Sequence, residues 1–181
     1  MQKKIYITID LSDEIKESFR KEEGRWKNLN IFWTGFSHLD LTLEYLGIVD
    51  REDLQKIKRA LEMAAKETKA FEIRLDKIVL GPNNKDPKMF WATILEDAFV
   101  KKFRKIFREK LEYNGFILKE GEVFTPHIVL ATANGNQLKG KQTSIRLRGK
   151  IKVEEMNLFS SHTYTKGVVR YKLLDTIPLQ K

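Results

Sequence analysis

Two short segments carry residues able to handle protons and anionic oxygens. The first is Asp40-Leu41-Thr42-Leu43, running into Glu44-Tyr45-Leu46-Gly47; the second is His127-Ile128-Val129-Leu130, entered through Phe124-Thr125-Pro126. In each, a residue is followed two positions later by another on the same side of a strand, because strand side chains alternate with period two. Each strand therefore points a pair inward: Asp40 with Thr42, and His127 with Val129. Imidazole, with a pKa near 6.5, takes or gives a proton around neutral pH. With no cysteine in the chain, a cysteine nucleophile, a thiolate metal site and a disulfide framework are excluded.

The elements that must position these pairs can be read along the chain. Ile5, Ile7 and Ile9 alternate with Tyr6 and Thr8 as a first strand, and Ser12 with Asp13 and Glu14 opens a helix with an acidic first turn. Trp33 closes a short extended piece, and His38 to Leu46 reads as a strand ending where Gly47 turns the chain. Asp50 caps a helix with Leu54, Ile57, Leu61, Ala64 and Ala65 on one face. Phe71 to Gly81 and Phe90 to Leu95 read as neighbouring strands joined by the loop from Pro82 to Pro87. A third amphipathic helix carries Phe99, Phe103, Ile106, Phe107 and Leu111 and ends at Asn114-Gly115. His127 to Ala131 begins a new strand. Two alternating runs, Ile151 to Phe159 and Val168 to Leu174, read as a hairpin about Ser160, Ser161, His162, Thr163 and Gly167.

This order predicts an α+β fold of two similar, pseudo-symmetric lobes, each with antiparallel strands and at least one long helix, facing each other across a central cleft. A chain of 181 residues with 41% hydrophobic content suits one domain spanning residues 1–181. The opening apolar run is short and ends at Asp10, unlike a signal peptide, and no apolar run approaches the roughly 20 residues that span a bilayer. We expect a cytoplasmic monomer without a membrane partner. The formal charge of +9 draws polyanions, nucleic acid first among them.

Taken in order, several segments resemble the 2H phosphoesterases, and within them the RNA 2′,3′-cyclic phosphodiesterases, also called 2′-5′ RNA ligases. They are the Ile7-Thr8-Ile9-Asp10-Leu11 strand, Leu41 to Gly47, Phe71 to Leu75, Phe124-Thr125-Pro126-His127, and Leu158-Phe159-Ser160-Ser161 with Gly167 and Tyr171. That family carries two His-x-Thr-x motifs whose histidines approach the phosphate from opposite sides while the threonine hydroxyls hold its oxygens. In-line opening of a cyclic phosphate needs one group to take a proton from water and another to protonate the leaving ribose oxygen. The resemblance implies a hydrolase for cyclic phosphate ends of RNA or nucleotides, using neither metal nor cofactor.

Here the first motif reads Asp40-x-Thr42 and the second His127-x-Val129, so each pair has lost one member. The resemblance gives His127 the role of base, Asp40 the acid position and Thr42 the phosphate. Where the family often has a phosphate-binding arginine after the second motif, this chain has Thr132. Asp40, with a reference pKa of about 3.9, acts as an acid only if burial or the phosphate raises it. The loss of an acid-base partner typically removes roughly 100- to 10,000-fold in rate. The alternative is therefore an inactive module that binds RNA or nucleotides on the same fold.

Other candidates have two readings each. His38, on the strand face of Asp40 and Thr42, either reaches the substrate or makes an ordinary surface hydrogen bond; His162 lies either at the cleft rim or in solvent. Arg146, Arg148, Lys150 and Lys152 fall on alternating positions, making either a track for the RNA backbone or a solvated outer face.

Overall fold

The structure, a computed structural model, describes residues 3–26, 28–83, 85–118, 123–163 and 169–181. Gly167 of the expected hairpin and Asn84 of the loop between Pro82 and Pro87 lie outside them. The strands are β1 (Lys3–Asp10), β2 (Ile31–Trp33), β3 (Asp40–Val49), β4 (Phe71–Gly81), β5 (Met89–Ile94), β6 (His127–Ala133), β7 (Ile145–Arg146), β8 (Lys150–Val153), β9 (Glu155–Thr163) and β10 (Val169–Pro178). The helices are α1 (Asp13–Glu23), α2 (Arg51–Lys66) and α3 (Asp97–Tyr113), with short 3₁₀ turns at Gly24–Trp26 and Phe36–His38.

Two antiparallel sheets form. One has the order β10-β9-β1-β3; the other runs β2-β6-β5-β4-β7, with β8 also paired to β4. The α+β reading holds, but the lobes are not successive halves of the chain. The first sheet joins strands from both ends of the sequence, while the second is built from the middle. β3 of the first sheet packs against β6 of the second, bringing the two candidate motifs to the join.

The helices form where capping and periodicity favour them. The Ser12 hydroxyl accepts from Ile15 N–H, and Asp50 Oδ1 accepts from Asp53 N–H at 2.9 Å. α2 buries Ile57, Ala60, Leu61, Ala64 and Ala65, and α3 buries Val100, Phe103, Phe107 and Leu111. Phe99 is an exception to the expected stripe, being 59% exposed in the first turn of α3. Gly115, with φ 76°, ends α3 in the left-handed conformation a glycine tolerates.

Gly47 does not end its strand. It lies inside β3 with φ 75°, opposite Ile5, where the ladder shifts register. The last hairpin also differs from expectation: Ser160, Ser161 and His162 are within β9, and His162 pairs with Arg170 of β10. Among the described residues, no helix is long and apolar enough to cross a membrane.

Candidate active site

β1 and β3 meet in a register that sets the first half of the site. Asp10 faces Asp40, Thr8 faces Thr42 and Tyr6 faces Tyr45. Thr42 and Tyr45 are an odd number of residues apart, so an ideal strand would send them to opposite faces. The register shift between Ile7 and Thr8 inserts one residue and restores Tyr45 to the face of Thr42. The rings of Tyr6 and Tyr45 consequently meet with centroids 4.8 Å apart, and Tyr6 lies 6.1 Å from Tyr171 of β10.

The second half comes from β6. His127 Nδ1 lies 2.7 Å from the carbonyl oxygen of Thr125. A carbonyl only accepts, so Nδ1 carries the proton and the neutral ring presents Nε2 as its acceptor. Trp91 of β5 faces Val129 across the ladder, and its indole stacks on the His127 imidazole with centroids 3.6 Å apart and planes 19° apart. A bonded edge and a covered face fix the ring.

The two halves line one cavity of about 470 Å³ that includes Asp40, Thr42, His38, His127 and Val129 among its walls. The Thr42 hydroxyl donates to Asp40 Oδ1 at 3.0 Å. Burial pushes the Asp40 carboxyl from 3.8 up to about 6; the Asp10 carboxylate adds to the rise, while the Thr42 hydrogen bond and the Lys16 ammonium oppose it. Lys16 is itself buried and bonds Asp10 at 2.8 Å. Burial lowers the His127 imidazole below its ordinary 6.5, against the opposing pull of the Thr125 carbonyl.

His38 reaches the cavity by a different route from the one expected. It is in the 3₁₀ turn Phe36–His38, before β3 begins, so it does not share a strand face with Asp40 and Thr42. Thr34 fastens this segment to β6, its hydroxyl donating to Val129 O at 2.8 Å and its N–H to Leu130 O at 2.9 Å. The His38 ring then packs 4.6 Å from that of Tyr171.

Thr132, Arg146 and Arg148 are not among the cavity walls. Thr132 is exposed at the far end of β6, between Phe32 and Met89 in the ladder. Arg146 pairs opposite Lys77 in the two-residue β7, and the chain then breaks at Gly149, with φ 148°, before β8. The expected alternation from Arg146 to Lys152 is therefore interrupted, and Lys150 pairs with Glu72 at 2.8 Å.

Several wall residues had no site role assigned from the sequence: Tyr6, Thr8, Arg104, Phe124, Phe159 and Tyr171. Tyr6 and Thr8 were detectable as alternate positions of one strand beside the motif strand. Arg104 carried no local mark, since its place depends on how α3 docks. Its guanidinium bonds the Leu43 carbonyl at 3.0 Å and Glu44 Oε2 at 2.8 Å, and the Phe124 ring lies 4.4 Å from Cζ. Among the described residues, no group of three or more His, Asp or Glu side chains converges as metal ligands do. The arrangement offers a base, a carboxyl that takes up a proton near pH 6, a hydroxyl and an aromatic wall around a space of nucleotide size.

Residues 9–91 match the family described as LigT-like phosphoesterase. The chain is 28% identical to the RNA 2′,3′-cyclic phosphodiesterase of Methanocaldococcus jannaschii over 70% of its own length and 69% of that protein's. It is 23% identical to the protein of the same name from Aquifex aeolicus, over 91% and 89% of the two chains. Its fold matches the protein TT0787 of Thermus thermophilus, with a TM-score of 0.84 at 20% identity over 98% of both chains. It also matches E. coli LigT complexed with 3′-AMP, with a TM-score of 0.79 at 19% identity over the whole of both chains.

Proposed function

We propose that the chain, whose residues 9–91 match the LigT-like phosphoesterases, acts as a member of that family and opens 2′,3′-cyclic phosphate ends of RNA or nucleotides. His127 Nε2 takes a proton from water, the water oxygen bonds to phosphorus, and one ribose oxygen leaves with the proton of the Asp40 carboxyl. The two side chains perform both proton transfers. The tyrosines Tyr6, Tyr45 and Tyr171 offer flat faces at the cavity, the kind of surface on which an unpaired base stacks.

The observation that carries the reading is the Asp40 carboxyl at about 6. An ordinary aspartate would hold almost no proton at neutral pH and would repel the phosphate; this one is half protonated near pH 6. A bound phosphate anion raises it further by like-charge repulsion.

A second reading, a binding module without turnover, is favoured by the bond from Thr42 to Asp40 at 3.0 Å. It uses the hydroxyl proton that would otherwise hold a phosphate oxygen, and Val129 offers no replacement. Hydrolysis of 2′,3′-cyclic AMP separates the readings. Wild-type turnover that disappears in His127→Ala supports the enzyme. No wild-type turnover, with gain in the double variant Asp40→His, Val129→Thr, supports the binding module. If neither protein turns over or binds cyclic nucleotide, both readings fail.

A further inference from the structure

We propose that Arg104 is the phosphate-binding cation of this cavity, supplied by α3 in place of any arginine from β6. The inference rests on the reading of the cavity as a phosphodiester site. Among the described residues, Arg104 is the only lysine or arginine in the cavity wall. Thr132, the residue at the position of the family's arginine, is outside it.

Three contacts hold the guanidinium in one plane. Nε donates to the carbonyl of Leu43, the residue after Thr42, at 3.0 Å. Nη2 bonds Glu44 Oε2 at 2.8 Å. The ring of Phe124, three residues before His127, packs 4.4 Å from Cζ. Arg104 thus touches both motif segments, whereas Nη1 has no hydrogen-bond partner among the described residues. A guanidinium has five N–H donors in a rigid fork, so a fixed fork with unused donors at a cavity wall suits an anionic oxygen.

The charge balance also favours an anion here. Glu44 alone would cancel Arg104, but Arg108 Nη1 bonds the same Oε2 at 2.7 Å. Two guanidiniums share one carboxylate, leaving a net positive charge of one on this cluster. The Arg104 side chain is 19% exposed, so solvent screens it only in part. Attack of water on a cyclic phosphodiester adds negative charge to the phosphoryl oxygens, and a fixed cation at that point acts more strongly on the transition state than on the substrate.

The alternative role for Arg104 is a clip between α3 and β3. Titration calorimetry with inorganic phosphate at pH 6 on the wild type, Arg104→Gln, Arg104→Lys and Arg108→Gln distinguishes the two, with melting temperatures recorded alongside. Arg108→Gln breaks the same clip to Glu44 but removes no donor from the cavity. The expected result is at least a tenfold weaker phosphate affinity in Arg104→Gln, partial recovery in Arg104→Lys and a clearly smaller loss in Arg108→Gln, which removes the excess charge but no cavity donor. Arg104→Gln within threefold of wild type, or Arg108→Gln weakened as much as Arg104→Gln, overturns the proposal. Wild-type phosphate binding without turnover of cyclic AMP removes the enzyme reading alone, and the four affinities still decide Arg104. A wild type that binds no phosphate overturns the phosphate-site reading and the role of Arg104 together.

Discussion

The hydroxyl of Thr42 donates to Asp40 Oδ1 at 3.0 Å, so the pair that β3 turns toward the cavity is bonded to itself. That bond favours the carboxylate, yet burial outweighs it and the Asp40 carboxyl titrates at about 6. In the proposed mechanism turnover needs Asp40 protonated, so the rate falls as pH rises above about 6. It also needs His127 neutral, so the rate falls again as pH drops below a His127 pKa that burial places under 6.5. We expect a bell-shaped profile of kcat/KM for 2′,3′-cyclic AMP centred on the acid side of neutrality. Asp40→His should move its alkaline limb upward, and Asp40→Asn should cost about 100- to 10,000-fold at the optimum. An alkaline limb unmoved by Asp40→His assigns the acid to another group.

The same carboxyl makes stability depend on pH. Its folded value of about 6 is above its unfolded 3.8, so between these pH values the folded state binds more protons than the unfolded state. Stability from this group is therefore highest below pH 4 and declines as pH rises toward 6. Asp40→Asn removes that decline. Urea unfolding from pH 4 to 8 should show a flatter curve for the variant, and a higher midpoint than wild type at pH 8. Parallel curves across the range would contradict the burial of Asp40 as the cause.

Much of this site was legible in the sequence, and the rest failed for identifiable reasons. Asp40, Thr42 and His127 were identifiable from the resemblance to the His-x-Thr-x motifs, and period-two alternation within a short, regular piece of strand put each pair on one face. The face of Tyr45 was not legible, because the bulge near Thr42 changes which side of the strand it occupies, and nothing local in Leu43-Glu44-Tyr45 marks the inserted residue. Gly47 read as a turn because a left-handed glycine serves turns and bulges alike. The arginines after Ser144 looked like one strip because alternation was carried through Gly149, where the backbone breaks it. Tyr171 and Arg104 reach the cavity from β10 and α3, and only docking of distant elements brings them to β3 and β6.

Thr8 offers a check on the first sheet that does not depend on catalysis. It is 2% exposed, and its hydroxyl has no hydrogen-bond partner among the described residues, although it pairs across the ladder with Thr42 and Asn157. A buried hydroxyl without a partner costs about 1–3 kcal/mol in lost hydration. Thr8→Val keeps the shape and removes the oxygen, so its melting temperature should equal or exceed that of wild type. A clear fall in melting temperature would mean that the hydroxyl is satisfied in solution.

Gly81 tests whether Trp91 holds the His127 ring in place. A Cβ on Gly81 would lie 2.4 Å from Trp91 Cδ2 and 2.6 Å from Cε2, atoms of a fused ring system that moves only as a whole. Gly81→Ala must therefore displace the indole, the same group that stacks on His127 at 3.6 Å. Overpacking of this kind typically costs about 1–3 kcal/mol, and the loosened imidazole should lower kcat more than it raises KM, because a misplaced base impairs proton transfer more than binding. Trp91→Leu should lower kcat in the same way by removing the stack. If the indole is the sole route by which Gly81 acts on His127, the double variant loses no more activity than Trp91→Leu alone, and melting recovers in part because the clash is gone. Activity losses that add across the two sites would show that Gly81 acts on the cavity through the backbone of β4 rather than through Trp91.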